Sequence, residues 1–182
     1  MKPPVLLFQG RRFHVERVLQ ITPDGVEHPR DVVRNPDAVT ILPLLDDGRV
    51  CFVRNYRAAV AKSLIELPAG VVEPGEDPAV TARRELAEET GYQAGSIERL
   101  ATFYTSPGIL DEQMYLYLAT SLEPGKAAPE PGEDLQPLVT TWQEALDMAR
   151  DGRIRDAKTL VGLFYYETSG GPRGSSRRSE RT

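Results

Sequence analysis

The sequence predicts an α/β fold in which a mixed sheet lies between helices. Three observations carry this. Segments rich in β-branched and apolar residues lie on both sides of one sharply punctuated helix, further helical patterns close the chain, and a hairpin pattern opens it. The 182 residues amount to one domain's worth of chain, enough to bury a sizeable core. A 40% hydrophobic and 27% charged composition is that of a globular protein.

Arg12 to Ile21 and Val26 to Val33 flank Thr22-Pro23-Asp24-Gly25, a good turn, and so read as a hairpin. Ala38 to Leu45 and Arg49 to Tyr56 surround Asp46-Asp47-Gly48 and read as a second one. Leu64 to Leu67 is a short strand running into Pro68-Ala69-Gly70. Asp77 is a natural N-cap, Pro78 suits the first helical turn, and Gly91 suits the left-handed residue just past the end. Ile97 to Tyr104 and Gln113 to Ala119 are strands on either side of Ser106-Pro107-Gly108. Leu122 to Asp134 is a Pro/Gly/Glu loop without apolar periodicity, and Leu138 to Trp142 is a strand. Gln143 to Arg150 and Ala157 to Thr168 are helices, the second with Leu160, Val161, Leu163 and Phe164 inward. From Ser169 onward the Gly/Ser/Arg-rich chain reads as a disordered tail.

A net charge of −5 argues against a general nucleic-acid footprint. The four tail arginines could touch RNA or DNA through phosphates, but an unstructured, solubilising end is the expected role. Cys51, the only cysteine, lies in an apolar run and reads as a buried thiol. Val5-Leu6-Leu7-Phe8 is too short for a signal peptide or a membrane span, so the expected compartment is the cytoplasm.

The chemistry is concentrated in residues 70–92. In the helix between Asp77 and Gly91, Ala79, Val80, Leu86, Ala87 and Thr90 are expected on one side, and Glu85, Glu88 and Glu89 on the other. Three neighbouring carboxylates repel one another unless something positive sits among them. Mg²⁺ or Mn²⁺, which prefer oxygen ligands and also grip phosphate oxygens, satisfy such a face. A solvated acidic face is the plain alternative for any Glu-rich helix, but not with the Gly70-x5-Glu76 loop in front and Gly91 behind. Arg57, with Arg54 on the same run, is a candidate contact for a diphosphate, because guanidinium binds phosphate bidentately.

As a pattern the segment is Gly70-x5-Glu76-x7-Arg84-Glu85-Leu86-x-Glu88-Glu89-x-Gly91-Tyr92, and it resembles the Nudix box at every defined position. A wider likeness, from about Val39 to Phe164, is to the ADP-ribose pyrophosphatase branch. It rests on Leu67-Pro68-Ala69-Gly70, on Ser106-Pro107-Gly108-x-x-Asp111-Glu112 with Pro107 sixteen residues beyond Gly91, and on an acidic loop at Glu133-Asp134. The resemblance implies the Nudix α/β/α sandwich with a mixed β-sheet (residues 37–168), preceded by a small N-terminal antiparallel sheet (residues 1–36) and followed by the tail (residues 169–182).

It implies hydrolysis of the diphosphate of ADP-ribose to AMP and ribose 5-phosphate, with Mg²⁺ or Mn²⁺. Ligands would be Glu85 and Glu89 with the Ala69 carbonyl and Glu88, and Glu76 as an outer or shared ligand. Arg84 is then the internal partner holding the loop or a glutamate. The implied general base is Glu133, with Asp134 beside it and Glu112 as rival; Glu112 otherwise binds the terminal ribose with Ser106. Members of this branch pair as homodimers that exchange N-terminal sheets, which makes Arg30 and Asp31 contacts in trans. No obvious aromatic stands there to stack on adenine; Phe13 is nearest and fits the core equally well. A GDP-mannose or other nucleotide-sugar pyrophosphatase is therefore the alternative enzyme. A nucleotide-sensing module and an oxidised-nucleotide triphosphatase are disfavoured, the first by the complete box, the second by the serine-proline-glycine segment and the long N-terminal extension.

Overall fold

The computed structural model describes residues 3–128 and 135–171. Among these residues ten strands and three α-helices form three sheets with helices packed against them. The first sheet, β1 (Val5–Gln9), β2 (His14–Ile21) and β3 (Glu27–Arg34), is antiparallel in that order. The expected hairpin is β2–β3, closed where Gly25, at φ 82°, donates its N–H to the Thr22 carbonyl. Strand β1 escaped the sequence reading because all five of its residues are exposed, leaving no inside–outside alternation to detect.

The second sheet is mixed, in the order β7 (Ala69–Val71), β4 (Ala38–Pro43), β9 (Gln113–Pro124), β8 (Tyr92–Tyr104). Its β4–β9 pair is parallel and the rest antiparallel. The third runs β10 (Leu135–Thr141), β5 (Arg49–Arg57), β6 (Lys62–Glu66), all antiparallel. The proposed hairpin of Ala38–Leu45 with Arg49–Tyr56 is therefore corrected. The turn forms, with Leu45 N–H donating to Arg49 O and Gly48 N–H to Leu45 O, but the two strands pair at a single Leu44–Val50 bridge before parting into different sheets. The reason lies in their composition. All six residues of β4 and Val50 to Val53 of β5 are buried, and such runs need neighbours on both edges and cover on both faces.

Helix α1 (Pro78–Thr90) has its predicted caps: the Asp77 carboxylate accepts from Ala79 N–H at 2.7 Å, and Gly91 takes φ 79°. A β-carbon on Gly91 would also lie 2.8 Å from the Ala127 nitrogen, so the returning chain presses on this residue. The buried stripe runs through Ala82, Leu86 and Thr90, which leaves Val80, two residues before Ala82, 55% exposed rather than inward. Helix α2 (Trp142–Arg150) is capped by Thr141, one residue earlier than expected. Helix α3 (Ala157–Thr168) has its predicted bounds, but its inward stripe is Thr159, Gly162 and Leu163; Val161 and Phe164 face out.

Residues of β4 divide the core. Val39 and Ile41 meet Ala82 and Leu86 of α1, while Leu42 meets Phe52, Leu67 and the α2–α3 residues Ala145, Met148 and Leu163. Cys51 is buried as expected, and burial pushes its thiol up to about 12. Strands β8 and β9 are longer than anticipated, with Tyr92 opposite Pro124, so Leu122–Pro124 belongs to a ladder and not to a loop. Glu133 and Asp134 lie outside the described residues, as does most of the 169–182 tail. No described helix is long and apolar enough to cross a membrane.

Candidate active site

The short strand β7 lies beside β4, with Val39 opposite Gly70 and Thr40 opposite Ala69, and α1 packs across both. This brings the acidic side of the helix down onto β7 instead of out to water. A β-carbon on Gly70 would sit 2.0 Å from Cδ of Glu85, so a side chain at 70 and Glu85 in this position exclude each other. Glu89 Oε2 accepts from the Ala69 N–H at 3.2 Å and is 5% exposed. Burial along the face is graded: Glu89 is covered, the Glu85 side chain is 15% exposed and that of Glu88 34%. Glu88 is thus the most exposed of the three, while Glu85 and Glu89 lie against β7.

Arg84 sits among the carboxylates. Its Nη1 reaches Glu85 Oε1 at 2.8 Å and Glu88 Oε2 at 3.2 Å, and its Nη2 reaches Glu76 Oε2 at 3.3 Å. Thr81 Oγ1 also donates to Glu76 at 2.7 Å. Hydrogen bonds from Arg84 first, then Thr81, hold the Glu76 carboxyl below the usual range, and Glu76 in turn raises Arg84. Arg84 thus bridges Glu76 of the loop and two helix carboxylates. Among the described residues no three acidic, His or Cys side chains converge as a closed metal cage; a guanidinium spaces them. The donor set is nonetheless wholly hard oxygen, and the bare Gly70 backbone lets the Glu85 carboxylate lie against β7. Both features suit Mg²⁺ or Mn²⁺.

Beyond β7 lies an ion cluster that the sequence showed only in part. Arg57 grips Glu66 through both carboxylate oxygens, at 2.8 Å from Nε and 2.6 Å from Nη2. Lys158 Nζ meets the same carboxylate at 2.5 Å and Asp156 at 3.0 Å. Glu66 is 1% exposed. Burial pushes its carboxyl up, but the Arg57 hydrogen bonds and the Lys158 charge outweigh that and leave it below its ordinary value. Arg57, expected from the sequence at a diphosphate, here pairs with Glu66, which with Lys158 the sequence did not single out. The signal was available for Glu66, a lone acid in the apolar run Leu64-Ile65-Glu66-Leu67, since a buried carboxylate demands a cation.

The Ser106 segment is a turn stitched to β3. The Ser106 carbonyl accepts from Ile109 and Leu110, and Val33 N–H donates to Ile109 O. Asp111 binds the Arg34 guanidinium and the Asn35 N–H, both at 3.0 Å, while Glu112 accepts from Asn35 Nδ2 at 2.5 Å and Thr105 Oγ1 at 3.0 Å. A cavity of about 300 Å³ lies between this turn and β3, lined by Val32, Arg34, Tyr104, Pro107 and Ile109. Arg30 and Asp31 keep to the N-terminal sheet, paired with Gln20 at 2.9 Å and with Arg17 at 2.7 Å. Phe13 is not core: it is 41% exposed and its ring lies 5.9 Å from that of Phe8.

A family model described as the NUDIX domain matches residues 34–161. The chain is 40% identical over 159 residues to a methanol dehydrogenase activator of Bacillus methanolicus, covering 83% of this chain and 86% of that protein. It is 36% identical over 147 residues to an ADP-ribose pyrophosphatase of Bacillus subtilis, covering 80% of each. To a GDP-mannose pyrophosphatase of Escherichia coli it is 32% identical over 154 residues, covering 79% of this chain and 80% of that one. A crystal structure of an ADP compounds hydrolase superimposes with a TM-score of 0.81 at 23% identity, covering 95% of this chain and 98% of that one, which supports the α/β fold.

Proposed function

The chain belongs to the NUDIX family, and from that premise we propose that it is a hydrolase cleaving the diphosphate of ADP-ribose into AMP and ribose 5-phosphate. The observation that carries this is the packing of the box helix on β7, which stacks Glu85 over Gly70 and fastens Glu89 to the Ala69 N–H. Glu85, Glu88 and Glu89, with the Ala69 carbonyl and Glu76 at the margin, would hold Mg²⁺ or Mn²⁺. Such an ion supplies charge neutralisation at the phosphoryl oxygens and a more acidic water. Divalent-metal dependence is general among Nudix pyrophosphatases; the choice of ion and the ligand set are our assignment.

The chain's own residues do the rest. Arg84 keeps three carboxylates apart yet near one another, so the helix face tolerates its charge without an ion. Arg57 offers a guanidinium edge to the diphosphate. Glu112, already oriented by Asn35 and Thr105, accepts from the terminal ribose hydroxyls beside Ser106. The general base is then Glu133, as the family resemblance implies, with Asp134 beside it, activating the water that attacks phosphorus.

We assign the adenine end to a homodimer with exchanged N-terminal sheets. Val5, Leu6, Leu7 and Phe8 are 43–58% exposed in the single chain, an apolar edge that a partner would cover. Arg30, Asp31 and the Phe8–Phe13 pair would then serve the other subunit's site.

The test is release of AMP from ADP-ribose by the purified full-length protein with Mg²⁺ or Mn²⁺, beside GDP-mannose, UDP-glucose, NADH and dinucleoside polyphosphates. Preference for GDP-mannose would favour the reading suggested by the E. coli relative. Cleavage of none would sink the enzyme assignment and leave dehydrogenase activation, the role in the B. methanolicus relative's name, as the reading to pursue.

A further inference from the structure

The Glu66 cluster has more cation than a structural carboxylate needs. Glu66 is 1% exposed, and Lys158, itself only 10% exposed at its side chain, already sits on Oε2. Arg57 is the second cation on the same group, yet its side chain is 45% exposed. A guanidinium has five N–H donors in a rigid plane. Glu66 engages Nε and Nη2, which fixes that plane and leaves the edge containing Nη1 turned away from the carboxylate. Glu66, the group that holds it, ends β6 three residues before Ala69, whose N–H donates to Glu89 of the box helix.

We propose that Glu66 and Lys158 are positioning residues: together they clamp the Arg57 guanidinium so that its outer edge faces the diphosphate of the bound substrate. This rests on Arg57 being a diphosphate contact, as assigned above. Glu66 sets the orientation of the plane. Lys158 holds that carboxylate in place, because its Nζ lies on the same Oε2 that accepts from Arg57 Nη2. Lys158 is braced by its neighbours: the Asp156 carboxylate accepts from Thr159 Oγ1 at 2.6 Å, and Thr159 Oγ1 accepts from the Leu67 N–H at 2.8 Å. The start of α3 is thereby tied to the strand that leads into the box.

The experiment is a kinetic double-mutant cycle on the full-length protein with ADP-ribose and Mg²⁺. Lys158→Met is expected to raise KM about fivefold or more while kcat stays within about twofold, the pattern of a lost ground-state contact. Lys158→Arg is expected to restore most of the affinity. In an Arg57→Ala background, Lys158→Met is expected to add less than about 1.5-fold, since the residue through which it acts is gone. Thermal melting establishes that each variant is folded; should Lys158→Met not fold, Lys158→Gln carries the same comparison. An unchanged KM in folded Lys158→Met overturns the proposal, and so does an equal rise in the presence and absence of Arg57. If Arg57→Ala leaves KM unchanged, the Arg57 assignment itself fails; if wild type releases no AMP, the enzyme reading fails instead.

Discussion

The carboxylate of Glu85 lies directly over Gly70, so close that a methyl group at 70 would approach its Cδ to 2.0 Å. This contact explains why the box opens on glycine: the residue is bare to admit a glutamate from the helix, and no positive φ is involved.

Gly70→Ala should therefore disable the site without unfolding the protein. The methyl group would drive Glu85 off its position, and a displacement of about 1 Å at such a site costs on the order of 10²-fold in rate. Loss of kcat/KM with a near-normal melting curve is the expected result. A fully active Gly70→Ala enzyme would show that Glu85 does not work from where it is seen.

Glu85→Gln and Glu89→Gln should each remove about 3 kcal/mol or more of transition-state stabilisation, because each takes away charge that in the proposed assignment would hold the divalent ion. Their stabilities should change little. An amide oxygen at 89 still accepts from the Ala69 N–H, and losing a charge at a 5% exposed position offsets part of any cost. Steady-state kinetics and urea denaturation on the same preparations test both halves.

Stability should fall in acid through Glu66. Its carboxyl is held below the ordinary value of 4.5, with burial opposed by Arg57 and Lys158. A depressed folded-state value means that the contribution is complete above pH 4.5, shrinks as pH drops below it, and is gone once pH has passed the folded value. Urea midpoints from about pH 6 down to about pH 3 should decline in wild type and decline less steeply in Glu66→Gln. Parallel slopes would mean that other carboxylates govern the acid limb.

Thr40→Val should be neutral or stabilising, by up to about 1 kcal/mol. Thr40 is fully buried on β4, and its hydroxyl is the buried side-chain atom without a hydrogen-bond partner among the described residues. Valine keeps the shape and removes the unsatisfied group. A loss of more than about 1 kcal/mol in chemical denaturation would show that the hydroxyl has a partner in solution.

What could be read in advance was local or strongly patterned. Asp77, Pro78 and Gly91 delimit α1 because caps act within one helical turn, and Ala157–Thr168 is helical at its predicted bounds for the same reason. The Ser106 turn, the β2–β3 hairpin and the box spacing likewise depend on residues a few positions apart. Apolar content alone misplaced Val80, Val161 and Phe164, since each helix buries a stripe whose direction is chosen by the layer beneath it. The turn at Asp46–Gly48 was legible, but the partners of β4 and β5 were not, because a wholly buried strand and a buried four-residue run can pair with any apolar neighbour of suitable length.

The sequence by itself thus determined a local pattern: carboxylates at helical spacing, an arginine beside them, and the glycines that start and stop the segment. Only the tertiary structure decided that the acidic side of α1 turns onto β7, that Arg84 separates the three carboxylates, and that Lys158 returns across 92 residues to share Glu66 with Arg57. The physical reason is that helix caps and ligand spacing follow from short-range backbone geometry, whereas a buried charge takes whichever partner the packed layers bring within reach.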